Sequence, residues 1–302
     1  MHWFLFVALA ASCFSASTVI DKHLIDRRFQ DISATTVTTL AAFAGLPFLI
    51  ILYLFHPILP SFYVLKMGFI TGWLVLGAYQ LYYSALRIAE ASLVSTLFQF
   101  ILPINYVLGL VFFNEKITLL QFLGLVIIVT SATVLAAEER EDKWVVNKKV
   151  IGLMILASLC ISVSDALFKG VAEHNSYITL AITEYSSTLI AGFLLYAILP
   201  NIRKELKNLR GTYKKLSIIA FSNEFFTTVG NFSLRYALLL GPIALVQGMM
   251  GAQPFFVLGI AALLALFFPH LRQHKKKTKK RFRTELVAMA SVVIGVYLIT
   301  AQ

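Results

Sequence analysis

Residues 9–45, LAASCFSASTVIDKHLIDRRFQDISATTVTTLAAFAG, align without a gap onto residues 156–192, LASLCISVSDALFKGVAEHNSYITLAITEYSSTLIAG, at an offset of 147. Ten of the 37 positions are identical, among them Cys13/Cys160, Ser15/Ser162, Ser17/Ser164, Lys22/Lys169 and Gly45/Gly192. Shared apolar composition does not explain a lysine at the same end of two apolar runs, so the chain reads as two copies of one unit. The first run, WFLFVALAASCFSAS (3–17), has the small residues of a cleaved leader, but no basic residue precedes it. Its mid-chain counterpart is invisible to a signal peptidase, so the first run is expected to be retained.

Working outward from the repeat, the 302 residues are 59% hydrophobic and 14% charged, with a mean hydropathy of +0.80. A soluble domain carries about 25% charged residues, so the bilayer must be the solvent for most of this chain. Ten apolar stretches cover 3–22, 34–55, 67–86, 91–113, 119–137, 150–169, 178–198, 216–237, 242–268 and 285–301. Each is near the ~20 residues that cross a ~30 Å hydrocarbon core. They are too continuous for barrel strands, and the connections, the longest being 138–149, 199–215 and 269–284, hold no soluble domain. Five spans per repeat is an odd number, so the second copy enters the membrane reversed. The expected fold is an all-α integral membrane protein with ten transmembrane helices as two inverted five-helix repeats, 1–137 and 150–302, joined by 138–149. Inverted repeats with a site at their interface characterise secondary transporters.

FNEKITLLQFLGLVIIVTSA (113–132), ALRIAEASLV (85–94) and DKHL (21–24) resemble the EamA family of the drug/metabolite transporter superfamily. The first run is similar to the end of a family repeat, where an L-x-E-x-[LI]-T-x-x-Q-x-x-G pattern leads into an apolar helix. The resemblance spans the chain as two repeats and is specific mainly in the first. Pro269-His270 and a basic insert stand where a second Glu115 would be. The resemblance implies ten helices around a central cavity lined by spans 1, 3, 4, 6, 8 and 9, and export or exchange of small organic metabolites.

Polar residues inside the spans mark the expected solute path, because a charge at the bilayer centre costs at least ~2.5–3.5 kcal/mol. In span 8, Glu224, Thr227, Thr228, Asn231 and Arg235 share one helical face. Gln80 and Arg87 lie on a stripe in span 3 beside Tyr79, Tyr82 and Tyr83. Span 4 places Ser92, Ser95, Thr96, Gln99 and Tyr106 together, and span 9 carries Gln247 and Gln253. Pro103 and Pro254 each free a carbonyl four residues earlier, at Gln99 and Met250, which reads either as a cavity-lining break or as a kink. Lys22, Asp165, Lys169, Arg87 and Arg235 are charged candidates for the cavity mouths. Asp165 and Lys169 sit at i and i+4, the favourable order for a helix pair. Lys22 and Lys169 either attract an anionic solute or snorkel to the headgroups.

Glu184 and Glu224 are the glutamates well inside spans. Low dielectric disfavours a charged carboxyl, the property that proton coupling uses. Glu224 reads as a proton-coupling group, a partner for a substrate amine, or a structural hydrogen-bonding group. Glu90 and Glu115 sit at loop ends, as caps or anchors.

No Walker A sequence occurs, no metal site is expected from the six histidines, and Cys13 and Cys160 read as small core residues. No cofactor and no nucleic-acid partner are expected. The expected partners are a small organic solute and the lipid bilayer, with a homodimer left open. The leading function is a secondary transporter and not an enzyme. Its rivals are a translocator of lipid headgroups or lipid-linked sugars and an integral-membrane transferase.

The net charge of +11 is an asymmetry. Loops after odd-numbered spans hold 22 of the 26 Lys and Arg, and the side with both termini holds Lys66, Lys116, Lys169 and Arg235. The insert HKKKTKKRFR (274–283) belongs to the rich side, as a topology-fixing loop or an anionic-lipid contact. The positive-inside rule then places both termini outside the cytoplasm of a cell (inner or plasma) membrane. A C-terminal alkaline phosphatase fusion should therefore be active and a GFP fusion dark; the opposite pair of results reverses the orientation.

Overall fold

The structure is a computed structural model that describes residues 3–27, 32–89, 94, 97–136, 148–208, 213–253, 255–257, 259–260 and 279–300. The described residues are helices and short connections. In chain order they are α1 (Trp3–Arg27), α2 (Ala34–Ala44), α3 (Leu46–Phe55), α4 (Phe62–Leu86), α5 (Ile101–Phe113), α6 (Leu119–Ala136) and α7 (Lys148–Ala172). There follow α8 (Tyr177–Ile198), α9 (Pro200–Asn208), α10 (Tyr213–Leu240), α11 (Ile243–Met250) and α12 (Lys279–Thr300). Among the described residues, five segments are long and apolar enough to cross a membrane: Trp3–Asp21, Ala34–Phe55, Phe62–Leu86, Lys148–Ala172 and Tyr177–Ile198. Shorter apolar helices run through Phe98–Phe113, Leu119–Ser131 and Ile243–Val257. The chain is a multi-pass membrane protein.

Burial is distributed as lipid requires. Leu54, Phe55, Leu59, Phe62, Val111 and Phe112 point outward, while Ser15, Thr36, Thr71, Asn105, Ser158, Ser162 and Ser164 are wholly buried. Hydroxyls in a bilayer need internal partners, and many take the carbonyl one turn back: Ser15 to Ala11, Thr38 to Ala34, Thr183 to Thr179 and Thr227 to Asn223.

The sequence sets the helix ends through local chemistry. Ser33, Ser61 and Ser176 each accept the backbone N–H three residues on, capping α2, α4 and α8. Gly45 ends α2 and Pro47 opens α3, so the apolar run 34–55 is two helices. Ser33 is also held from the loop side, donating through its N–H and Oγ to Glu205 of α9 at 2.8 and 3.0 Å. Burial alone would raise the Glu205 carboxyl, but hydrogen bonds from Thr36 and Ser33 and the nearby Arg87 charge outweigh it and hold it below its usual range. Its stabilising effect is therefore present at neutral pH and is lost as pH falls through that lowered value.

The most extensive packing joins the two halves of the chain. α1 lies on α10, α4 on α7 and α8, α5 on α7 and α11, α6 on α12, and α2 on α8. Small residues allow the close approaches. A Cβ at Gly68 would lie 2.6 Å from Thr183 Cβ, and one at Gly72 2.6 Å from the Glu184 carbonyl oxygen and 2.8 Å from Ser187 Cβ. Gly68 and Gly72 thus fit, one turn apart, onto Thr183 and Ser187. At the α6–α12 crossing, Gly124 and Gly295 meet backbone to backbone, within 2.7 and 2.9 Å of each other's carbonyl oxygen for an added Cβ.

Gly72→Val should destabilise the α4–α8 contact by about 1–3 kcal/mol through overpacking, read as a lower melting temperature of the purified protein. Gly77→Ala, where an added Cβ meets nothing within 4 Å, should leave it nearly unchanged.

Candidate functional site

Two polar clusters lie inside the bundle, and they differ in how their charges are matched. The first begins at the end of α5. Asn114 adopts the left-handed conformation (φ 50°) and donates its N–H to the Gly109 carbonyl, which the Glu115 N–H also bonds. The turn sends the Glu115 side chain back over α5, into space that Gly109 leaves open: a Cβ there would lie 2.6 Å from Glu115 Oε2. The carboxylate then receives the Ile243 N–H, at 2.9 Å to Oε2, at the start of α11. Lys169 Nζ, at 2.7 Å from Glu115 Oε1, also donates to the Gly241 carbonyl at 3.0 Å and lies over the Phe113 ring. A carboxylate at a helix N-terminus and an ammonium beside it are mutually supporting.

Close by in sequence, Arg235 of α10 lies 3.4 Å from Asp165 Oδ1 of α7 and 3.0 Å from Glu184 Oε2 of α8. Its guanidinium donates to the Ser164 hydroxyl and carbonyl and stacks over the Phe168 ring. Gln247 of α11 donates to Asp165 Oδ2 at 2.5 Å. Each of the five charged groups of this region therefore has an opposite charge beside it, Asp165 and Glu184 sharing Arg235, and all but the half-buried Glu115 are buried.

The second cluster lines a small, partly open pocket of about 30 Å³ between α1, α2, α4 and α10. Its polar wall is Asp21, Tyr83, Asn223 and Glu224. Asp21 Oδ1 accepts from Asn223 Nδ2 at 2.9 Å and from the Tyr83 hydroxyl at 3.4 Å, and Glu224 Oε1 accepts from Thr228 at 3.5 Å. One turn further along α10, Asn231 donates to the Tyr79 hydroxyl. The break at Gly45 lets the chain pass beside Glu224, 3.4 Å from an added Cβ.

A family model described as the EamA-like transporter family matches residues 1–137. The first half is similar to that family. No curated protein matches the chain in sequence. A solved structure described as "Crystal structure of protein" shares its fold, with a TM-score of 0.65 at 15% identity, over 97% of this chain and 96% of its own.

Within the EamA-like half, Gln80 faces α2, accepting from Thr38 and donating to Thr35, and the Arg87 guanidinium donates to the Ile32 carbonyl. Tyr106 packs on Phe122. Pro103 is exposed toward the outside, three residues into α5, and the turn ahead of it tightens into a 3-10 turn, Phe98–Phe100. The chain interruption is present, but Pro103 itself does not line the interior. Gln99 comes near Gly251. Thr227 pairs with Ser17, and Gln253 with Thr18. Lys22 lies in α1, with its side chain outside the described set, and Pro254, Glu90, Ser92, Ser95, Thr96 and 274–278 of the basic insert lie outside the described residues.

Three expectations change. Asp165, Lys169 and Arg235 are interior, 3%, 7% and 7% exposed, rather than at an open mouth. Asp165 and Lys169 do not pair along α7, because each has a nearer partner on another helix. Glu184 is engaged by Arg235, whereas Glu224 lines the pocket. On sequence alone Asp21 carries no site role and stands only in the DKHL run, at the close of span 1. The helix continues to Arg27, which puts Asp21 inside it. The spacing Ser17, Asp21, Leu24 on one helical face was the available signal.

Removing one partner of a buried pair leaves an unmatched charge and costs about 3–5 kcal/mol. Lys169→Met should lower unfolding stability by that order. The double variant Glu115→Gln, Lys169→Met should recover a large part of it; equal stability of wild type and Lys169→Met contradicts the pairing.

Proposed function

We propose that this protein is a secondary transporter that moves a small organic solute by alternating access, in the direction of export, through the interface of two inverted five-helix repeats. The carrying observation is that much of the packing between halves is reciprocal, although α4 on α8 is far more extensive than its counterpart, α2 on α10. With α1, α2–α3, α4, α5 and α6 as spans 1 to 5 and α7, α8, α10, α11 and α12 as spans 6 to 10, span 1 on 8 is mirrored by 3 on 6. Span 1 on 9 is likewise mirrored by 4 on 6, and 2 on 7, 4 on 9 and 5 on 10 map onto themselves. A two-fold relation in the membrane plane requires that pattern.

The family of the first half supports the transporter class. The two clusters support the mechanism. By span order, the matched ion pairs lie toward the side that carries both termini, and the pocket lies toward the basic side. A closed end and a cavity on the opposite side describe one state of an alternating-access cycle. The positive-inside rule assigns the pocket side to the cytoplasm of a cell membrane.

Counterflow in proteoliposomes tests the reading. Vesicles loaded with unlabelled metabolite mixtures should accelerate uptake of the matching labelled solute, and an absence of exchange for every solute class overturns the carrier reading. With an imposed pH gradient, Glu224→Gln should abolish the pH dependence of exchange; retention of that dependence removes Glu224 from the mechanism.

A further inference from the structure

Resting on the carrier reading, we propose that the pocket between α1, α2, α4 and α10 selects solutes with a cationic amine head and an apolar body. The argument begins with charge balance. Asp165 and Glu184 have Arg235, and Glu115 has Lys169. Asp21 and Glu224 share one pocket and, among the described residues, have only neutral donors: Asn223 and Tyr83 for Asp21, Thr228 for Glu224. Two carboxyls together in a low dielectric are satisfied by protons or by a cation, so a cationic solute and protons compete for the same wall.

An independent observation points the same way. Asn223 is 7% exposed and lines the pocket. Its Nδ2 is committed to Asp21, which leaves Oδ1 facing no donor within the described protein. Buried acceptors of this kind are rare and need an explanation. The wall therefore offers acceptors on Asp21, Asn223 and Glu224. An ammonium supplies three N–H donors and no acceptor. An alcohol supplies a single donor, and a carboxylate adds a third negative charge.

The other wall sets the body of the solute. Leu24, Val37, Leu40 and Ala44 are apolar, and the Tyr83 ring stands beside the acids. Such a wall suits the first carbons beside the ammonium, held by burial with an aromatic ring near the cation, while the rest of the apolar body projects through the open side of the pocket.

The test uses the full chain purified in detergent and three near-isosteres: phenethylammonium, 2-phenylethanol and 3-phenylpropanoate. Phenethylammonium should raise the melting temperature, and the alcohol and the carboxylate should not. Asp21→Asn should remove that shift, and Glu224→Gln should weaken apparent affinity by about tenfold, while Gly77→Ala retains it. Should Asp21→Asn fail to fold, Glu224→Gln and the wild-type charge series still decide the matter. Equal shifts from the three compounds, no shift from any, or an ammonium shift that survives both acid substitutions overturns the proposal. Failure of this inference differs from failure of the carrier reading: counterflow carried by neutral or anionic solutes sinks only the amine head, whereas no counterflow at all sinks the carrier.

Discussion

A buried charge needs an opposite charge beside it, and this constraint organises the interior of the bundle. Arg235 and Lys169 are buried, each 7% exposed, and neighbouring helices place polar residues against them. α7 gives Asp165 and Ser164, α8 gives Glu184, the loop after α5 gives Glu115, and α11 offers Gln247 and its own N-terminus. Remove the cations and the three carboxylates would repel one another in a medium that cannot screen them. Ion pairs in such places contribute specificity of arrangement more than net stability; here they dictate which helix lies beside which.

The glycines work with the charges. Lipid gives no hydrophobic reward for helix association, so close backbone contact must supply the attraction. Gly68 and Gly72 bring α4 against α8 near Glu184, and Gly124 and Gly295 bring α6 against α12. The same α4 carries Tyr79 and Tyr83 to the pocket. Close packing at one end of a helix thus positions the polar groups at the other.

Much of this was legible in residue order. Apolar run lengths located α6, α7, α8 and α10 to within about three residues. By contrast, α1 runs on to Arg27, α4 and α12 start five and six residues early, and α9 lies in an expected connection. The runs 91–113 and 242–268 reach beyond the described helices Ile101–Phe113 and Ile243–Met250. The stripe on α10 did mark an interior face, because lipid cannot satisfy Asn231 or Arg235. Partner choice was not legible. An i, i+4 spacing favoured Asp165 with Lys169, but a local pair on one helix loses to groups brought closer by other helices. Asp21 and Asn223 gain meaning only through a contact across 202 residues of chain, which no local periodicity encodes. Pro103 was identified as a break, but which way it faces depends on neighbours that periodicity does not name.

The placement of Glu115 has a consequence for how the protein is assembled. Its two principal partners lie 54 and 128 residues later in the chain. When the first five apolar stretches have been synthesised, neither Lys169 nor the Ile243 N–H yet exists, and the socket made by Gly109 and Asn114 holds a carboxylate without a counterpart. Contacts of such sequence separation form late, since chain closure must precede them. The first half therefore completes this contact only with the second, and a chain truncated after residue 137 would carry the Glu115 carboxylate without these partners. That unmatched charge distinguishes an unfinished copy from a finished one.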